Sequence, residues 1–206
     1  TPDQSSAASD VYKRQLSNRL PILFLPGDTY ANRMPDPVLQ QVEHFNNPGI
    51  TANDAFRPVT RYFDRITRPE QIIQSFPNAV QTMLDPADCG PACISLCQDI
   101  QGQTFEYPEE FFKERIHSIR RPRPDDFQIK EAAEKIKKSK NPIIISGGGV
   151  FYSNAMEELS NFATKHNIPV TQTVMGYSSM KRDHPHYAGQ IGGLGGKNTN
   201  DLAKET

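Results

Sequence analysis

The chain has 206 residues, with 23 basic and 24 acidic side chains and a formal net charge of −1. This balance argues against a surface that coats a polyanion, so we predict no nucleic-acid partner. No apolar run approaches the roughly 20 residues that a membrane-spanning helix needs, so we predict no membrane partner either. The low apolar fraction of 36% and the 17 prolines indicate a chain with many loops.

The three cysteines, Cys89, Cys93 and Cys97, are an odd number, which indicates reduced thiols and a cytoplasmic protein. Their C-x3-C-x3-C spacing is not that of a zinc knuckle or of a common iron–sulfur motif. Cys93 and Cys97 would share one face of a strand, so we expect them to be small buried hydrophobic residues and not metal ligands.

Neither end of the chain has the pattern of a natural terminus. Residues 1–15 are polar, lack an initiator Met and look like translated adaptor sequence, so no fold is predicted for them. The last residues, Glu205 and Thr206, lie within a predicted helix that has no C-terminal glycine cap. We therefore expect an internal piece of a longer protein.

The first half predicts two strands. The apolar run at residues 20–25 is typical of a strand buried on both faces, ended by Pro26-Gly27-Asp28. Asp36, followed by Pro37, predicts the start of a helix. A second short strand is expected at residues 92–96.

Another helix is predicted to begin at a capping box. Thr67 and Glu70 have the T-x-x-E spacing in which each side chain caps the backbone of the other. Apolar residues follow at helical intervals as far as Leu84, so we expect one face of this helix to be buried.

Residues 101–124 contain several prolines and indicate a linker, which predicts a domain boundary near residue 124. The linker carries the basic run Arg120-Arg121-Pro122-Arg123. A solvated linker is favoured over a phosphate-binding patch, because charge runs are usually solvated.

The second half has the alternation of a βαβ unit. Asp125 and Asp126 open a helix, and strands are expected at residues 142–146 and 168–174 with a helix at about 153–167 between them. A glycine-rich stretch and a last helix follow, so the fold class is α/β with parallel sheets. The expected core residues of the two longer helices are Ile129, Ala132, Ala133 and Ile136, and Met156, Leu159, Phe162 and Ala163.

The turn Gly147-Gly148-Gly149 follows a predicted buried strand and is a weak candidate for binding a cofactor phosphate. Tyr152 occupies the third glycine position of a dinucleotide fingerprint, and no acid ends the next strand, so NAD binding is not supported. A tight strand-to-helix turn is the favoured interpretation.

Two further patterns lie near the end of the chain. Residues 189–195 read G-x-x-G-x-x-G, which permits anion binding at a helix start but is not a Walker A loop. His184 and His186 have no third ligand at a suitable spacing, so a surface loop is favoured and no metal is predicted.

A dense polar cluster, residues 53–57 with Arg61, Tyr62 and Asp64, lies between predicted strand and helix segments. It could bind an anionic or polyhydroxy ligand, because functional residues favour loops. It could equally consist of polar residues that cap local structure, and the two interpretations stay open.

The order and spacing of these motifs resemble those of thiamine diphosphate-dependent enzymes. Residues 20–28 and 96–100 resemble the second half of their pyrimidine-binding domain, with Cys97 where the family usually has proline. Residues 142–150 and 183–195 resemble their central domain, a Rossmann-like (DHS-like) three-layer fold.

The resemblance implies a domain order. A partial pyrimidine-binding domain with a parallel sheet would occupy residues 16–100, followed by a linker at 101–124. Most of a central domain, truncated at its C-terminus, would occupy residues 125–206.

Within the superfamily, five segments resemble the trihydroxycyclohexane-dione hydrolases of inositol catabolism. These segments are residues 25–31, 35–41, 53–56, 62–66 and 85–88. The resemblance implies hydrolytic cleavage of a ring C–C bond in a small polyhydroxy cyclic diketone. An acetolactate-synthase-like carboligase or decarboxylase, and a non-catalytic nucleotide-binding domain of the central fold, remain alternatives.

The family implies thiamine diphosphate and Mg²⁺ as cofactors and a homodimer or homotetramer. Its activating glutamate and its G-D-G…N cofactor motif do not occur in this sequence. The resemblance therefore implies no catalytic residue here, an inactive isolated chain and no tight cofactor binding. No residue signature requires FAD or ADP.

The resemblance also implies a substrate-channel segment. Arg61 and Tyr62 match a basic residue and its neighbour that border the channel in synthase relatives, and Asp54 and Arg57 precede them. The four residues are the substrate-channel candidates, with Arg61 expected to steer the cyclic diketone.

Overall fold

The computed structural model describes residues 13–32, 44 and 46–206. The helix predicted after Asp36 lies outside the described residues. The chain divides into two compact units, Thr1–Arg120, here the first unit, and Arg121–Thr206, the second unit. The division falls within the predicted linker. No helix among the described residues is both long and apolar enough to cross a membrane.

The first unit contains a four-stranded parallel sheet. Its strands are β1 (Leu23–Phe24), β2 (Gly27–Asp28), β3 (Tyr62–Ile66) and β4 (Ala92–Cys97). Both β1 and β2 pair with β4 on one side, and β3 pairs with it on the other. The central strand β4 is the most buried, as expected of a parallel strand with neighbours on both sides.

The strand predicted at residues 20–25 is wrong in its extent and burial. Leu20 and Leu25 are exposed, and pairing resumes at Gly27–Asp28, beyond the predicted end. Proline is the physical reason, because Pro21 and Pro26 have no N–H to donate to a ladder. The Pro26 carbonyl still accepts a hydrogen bond from the Leu96 N–H at 2.9 Å, which keeps the two segments in line.

The prediction of β4 is confirmed, and so is the burial of the cysteines. Cys89, Cys93 and Cys97 are all buried as free thiols. Burial raises the pKa of Cys93 to about 12 and that of Cys97 to about 11, with the Asp28 carboxylate adding to both shifts.

The helix after β3 begins later than predicted. A 3-10 turn (Pro69–Gln71) precedes α1 (Ile72–Leu84). The Thr67–Glu70 capping box is wrong, because the side-chain oxygen of Gln71 accepts from the backbone N–H groups of Thr67 at 2.7 Å and Arg68 at 3.0 Å. Gln71, whose side chain is as long as that of Glu70, therefore caps the Thr67 N–H from one position further on. A short helix, α2 (Gln98–Gln101), follows β4.

The second unit contains a three-stranded parallel sheet in the order β5-β6-β7. Its elements are α3 (Asp126–Lys138), β5 (Ile144–Ser146), α4 (Gly149–Tyr152), α5 (Met156–His166), β6 (Val170–Gln172), β7 (Tyr187–Gln190) and α6 (Lys197–Leu202). The α/β class with parallel sheets is thus confirmed in both units.

In the second unit, the predicted cap of α3 is confirmed, but the predicted apolar faces of α3 and α5 are only partly buried. Asp125 caps α3 by accepting from the Gln128 N–H at 2.9 Å, as expected. Ala163 is buried and Leu159 packs against it, but Met156 and Phe162 on the same helix are exposed. The predicted core face of α3 is also wrong, because Ile129 and Ile136 are exposed where no described residue of this unit covers them.

Candidate functional site

The carboxyl ends of β2, β3 and β4 meet at one edge of the first sheet, here the carboxyl edge. Ligands of open α/β sheets bind outside this edge. Asp28 ends β2 and lies opposite Cys97, while Arg65 and Ser95 are register partners on β3 and β4. The parallel register therefore brings an acid, a guanidinium and a hydroxyl together.

Asp28 is the buried centre of this edge, with only 1% of its surface exposed. Its carboxylate accepts from Arg65 Nε at 2.7 Å, from the Thr29 N–H at 2.8 Å and from the Ser95 hydroxyl. Burial opposes ionisation, but the hydrogen bonds outweigh it and lower the pKa of Asp28. The carboxylate is therefore held charged and fully occupied.

Asp54 joins the same network from the segment before β3. Thr51 caps the 3-10 helix Ala52–Val59 in a capping box, which holds the Asp54 carboxylate 2.7 Å from the Thr51 N–H. Arg65 Nη2 donates to it at 2.7 Å and Arg57 Nε at 2.6 Å. Burial would raise its pKa, yet the bonds to Arg57, Thr51 and Arg65 lower the pKa of Asp54 to about 2.

Arg57 is the part of this cluster that faces solvent. Its side chain is 54% exposed, against 17% for Arg65. Asp54 holds one side of the guanidinium, and the ring of Phe63 lies 4.2 Å from its central carbon. No second acceptor for Arg57 occurs in the part of the chain that the structure describes, so the arrangement presents an oriented guanidinium to a polar ligand.

An open polar cleft lies at the same carboxyl edge, with a volume of about 410 Å³. The residues after β2, β3 and β4 line it. Asp99 lies at its wall, where its carboxylate accepts from the backbone N–H of Ala31 at 2.8 Å and of Asn32 at 3.2 Å. The cleft suits a small polar molecule more than an apolar one.

The four predicted channel residues do not lie together. Arg61 and Tyr62 lie at the amino end of β3, opposite the carboxyl edge. Arg61 forms an exposed ion pair with Asp88 at 3.5 Å, and the Tyr62 hydroxyl donates to Ser75 at 3.0 Å beneath α1. The other two candidates, Asp54 and Arg57, form a direct ion pair.

Sequence reasoning missed the other members of this network, Asp28, Arg65 and Ser95. Two signals were present in the sequence. Asp64 and Arg65 are charged residues flanked by the strand-forming residues Tyr62, Phe63 and Ile66, and Asp28 lies just beyond the strand predicted at residues 20–25. A charged residue among strand-forming residues is a reason to look for a buried partner, because unpaired buried charges are costly.

The weak cofactor candidates Gly147, Gly148 and Gly149 lie in the second unit. They form a turn between β5 and α4, whose N-cap is Gly148. Beside the turn, the hydroxyls of Ser146 and Ser179 are 2.5 Å apart. The Gln172 amide donates to Ser179 Oγ at 3.2 Å and to the Met180 carbonyl at 3.0 Å. This edge is neutral and satisfied internally.

The histidine pair has local partners. The His184 and His186 rings are 5.7 Å apart, and the His186 N–H donates to His184 Nδ1 at 3.2 Å. Within the described ranges, no three His, Cys, Asp or Glu side chains are grouped so as to hold a metal ion.

Comparison with known proteins decides the family of the second unit. Residues 129–206 match the family model described as thiamine pyrophosphate enzyme, central domain. These residues belong to that family. The resemblance to thiamine diphosphate-dependent enzymes predicted from the sequence motifs is therefore confirmed.

Relatives named 3D-(3,5/4)-trihydroxycyclohexane-1,2-dione hydrolase match nearly the whole chain. The protein of that name from Clostridium botulinum is 50% identical over 188 residues, 91% of this chain and 29% of its own length. The one from Shouchella clausii is 47% identical over 180 residues, 87% of this chain and 28% of its own length. The chain thus spans less than a third of the length of these curated relatives.

Solved structures of two decarboxylases, the first of them described as thiamine diphosphate-dependent, share the fold. The 4-hydroxybenzoylformate decarboxylase of Rhodococcus jostii RHA1 superposes with a TM-score of 0.71 at 19% identity, covering 91% of this chain and 34% of its own. Benzoylformate decarboxylase from Polynucleobacter necessarius gives 0.67 at 24% identity, covering 87% and 32%.

Proposed function

We propose that this chain is part of a thiamine diphosphate-dependent hydrolase that cleaves a ring C–C bond of 3D-(3,5/4)-trihydroxycyclohexane-1,2-dione in inositol breakdown. The observation that carries the proposal is the 50% identity over 188 residues to a hydrolase of that name. The central-domain match at residues 129–206 supports the cofactor class.

We assign substrate binding by this chain to the carboxyl edge. Arg57 would donate to a carbonyl or hydroxyl oxygen of the diketone, because a guanidinium donor matches such acceptors. Asp54 and Arg65 would act as positioning residues, since their bonds at 2.6 and 2.7 Å fix the orientation of Arg57. Arg61 remains the alternative steering residue expected from the sequence.

Thiamine diphosphate bound to the whole protein would supply an electron sink for C–C bond chemistry. The described residues do not fit a site for its diphosphate and for Mg²⁺. Arg65 is paired with both Asp28 and Asp54, which leaves Arg57 as the exposed cation of the carboxyl-edge network, and no metal-ligand group occurs among the described residues. Mg²⁺, a homodimer or homotetramer and a cytoplasmic location remain part of the proposal for the whole protein.

The test is an assay of the full-length protein with thiamine diphosphate, Mg²⁺ and trihydroxycyclohexane-1,2-dione. We expect a ring-opened product with the mass of the substrate plus one water. Pyruvate is the control substrate, and formation of acetolactate from it without hydrolysis of the dione would favour the carboligase alternative and overturn the proposal.

A further inference from the structure

The first unit contains a second cavity, of about 190 Å³, that is separate from the carboxyl edge. It lies between the outer face of α1 and residues 109–117, and we refer to it as the basic-rimmed pocket. Its floor is apolar, formed by Phe76 and Val80 of α1 and by Phe111. Its rim consists of Lys113, Arg115 and His117.

The pocket has an apolar floor because α1 has a second apolar face besides the one that packs on the sheet. Ile72, Ala79 and Met83 face the core cluster of the sheet. Phe76 and Val80 are four residues apart and form a second stripe, which α1 does not need for packing on the sheet. Phe76 is 40% exposed, so an aromatic surface is open inside the pocket.

The rim is explained by the local backbone. The 3-10 helix Glu109–Phe112 ends at Lys113, whose φ and ψ are extended. Side chains of an extended segment alternate sides. Lys113, Arg115 and His117 accordingly all line the pocket, whereas Glu114 and Ile116 do not.

The segment that carries Phe111 and the basic rim is anchored to the rest of the first unit. The Tyr107 hydroxyl donates to the Pro69 carbonyl at 3.4 Å, and its ring stacks on Phe111 with centroids 5.8 Å apart. The pocket is therefore preformed on the residues that flank it, and ligand sites are usually preformed.

The charge of the pocket is unbalanced. Lys113 pairs with Glu110 at 3.1 Å, but Arg115 and His117 form no ion pair with any described residue. A guanidinium and an imidazole above an aromatic floor match an oxyanion attached to an apolar body.

We propose that the basic-rimmed pocket binds a small organic anion that has an apolar or aromatic body and a carboxylate or phosphate group. The body lies on Phe76 and Val80, and the oxyanion accepts hydrogen bonds from Arg115 and His117. This site is independent of the carboxyl edge and of the proposed hydrolase activity.

The test is isothermal titration of the full-length protein with phenylacetate and with phenyl phosphate. The double variant Arg115→Gln/His117→Gln should weaken binding about tenfold or more, since it removes hydrogen bonds to a charged group. Glu114→Gln is the matched control on the opposite side of the segment, and its affinity should stay within about twofold of the wild type. Benzyl alcohol, which lacks the anion, should bind at least about tenfold more weakly than phenylacetate.

The relative affinities of the two probes identify the oxyanion, and either order supports the site. Three results would overturn the proposal: neither probe binds the wild type, the double variant binds as tightly as the wild type, or inorganic phosphate binds as tightly as both probes. The readout is binding, so a failure of the hydrolase assay does not affect it.

Discussion

Each unit has polar residues at the carboxyl ends of the strands of its own parallel sheet. The interactions between these residues differ: they are ionic in the first unit and neutral in the second. In the first unit, Asp28 and Asp54 share Arg65 in an ionic network. In the second, Ser146, Gln172 and Ser179 form a neutral network of hydroxyls and an amide. The ionic edge extends to an exposed guanidinium, whereas the neutral one is buried. The difference indicates that the first edge is built to orient a charge and the second to close a turn.

The largest expected effect comes from breaking the ionic edge. Arg65→Ala leaves the Asp28 carboxylate buried without its cation, which should lower the free energy of unfolding by about 3–5 kcal/mol. Urea unfolding of the chain followed by circular dichroism measures this. Lys137→Ala, which removes an exposed ion pair on α3, is the control and should change stability by less than about 0.5 kcal/mol.

Thiol labelling can show which unit opens. All three cysteines lie in the first unit, and burial raises the pKa of each thiol. Native chain should react slowly with a disulfide reagent at pH 8, because the thiolate is the nucleophile. Arg65→Ala should speed labelling on the order of a hundredfold, as its loss of stability implies. Equal labelling rates in the two proteins would mean that Arg65 does not hold the first unit closed.

The neutral edge should matter less. Gln172→Leu keeps the volume of the side chain but removes its hydrogen bonds to Ser179 and to the Met180 carbonyl. We expect a loss of about 1–3 kcal/mol, the cost of leaving neutral buried groups unpaired. The labelling rate of the cysteines should not change. A loss as large as that of Arg65→Ala would contradict the distinction between the two edges.

Of the two edges, only the ionic one contains carboxylates, and we expect acid to destabilise it by less than either substitution does. The folded pKa of Asp54 is about 2, below the ordinary value of 3.8, and the pKa of Asp28 is also lowered. A lowered carboxyl pKa stabilises the fold above the unfolded value, and this contribution is lost as the pH falls from about 4 towards 2. Urea midpoints measured across this range should fall less steeply in Asp54→Asn than in the wild type. Parallel curves would show that Asp54 contributes nothing.

The sequence predicted the elements better than it predicted what they pack against. Strand β4 and the Asp125 cap follow from local pattern, and both are confirmed. The exposed face of α3 was not predictable, because periodicity shows that a helix has an apolar face but not whether that face is covered. Pro26 is typical of a strand end, yet the ladder is interrupted for only two residues, Leu25 and Pro26.

The candidate site was predictable only in part. Asp54 and Arg57 are close in sequence, so their pairing follows from local spacing. Asp28 and Arg65 are 37 residues apart and meet only through the register of strands that both pair with β4. Such a contact depends on topology, which the spacing of residues does not contain.

The kinetics of two arginine variants in the full-length protein test the central claim that the ionic edge holds Arg57 for the substrate. With trihydroxycyclohexane-1,2-dione, Arg57→Ala should raise KM about tenfold or more and leave kcat within about threefold, because it removes a binding contact. Arg61→Ala, at the amino end of β3, should leave kcat/KM within about twofold. A larger loss for Arg61→Ala than for Arg57→Ala would contradict the account and favour the assignment expected from the sequence.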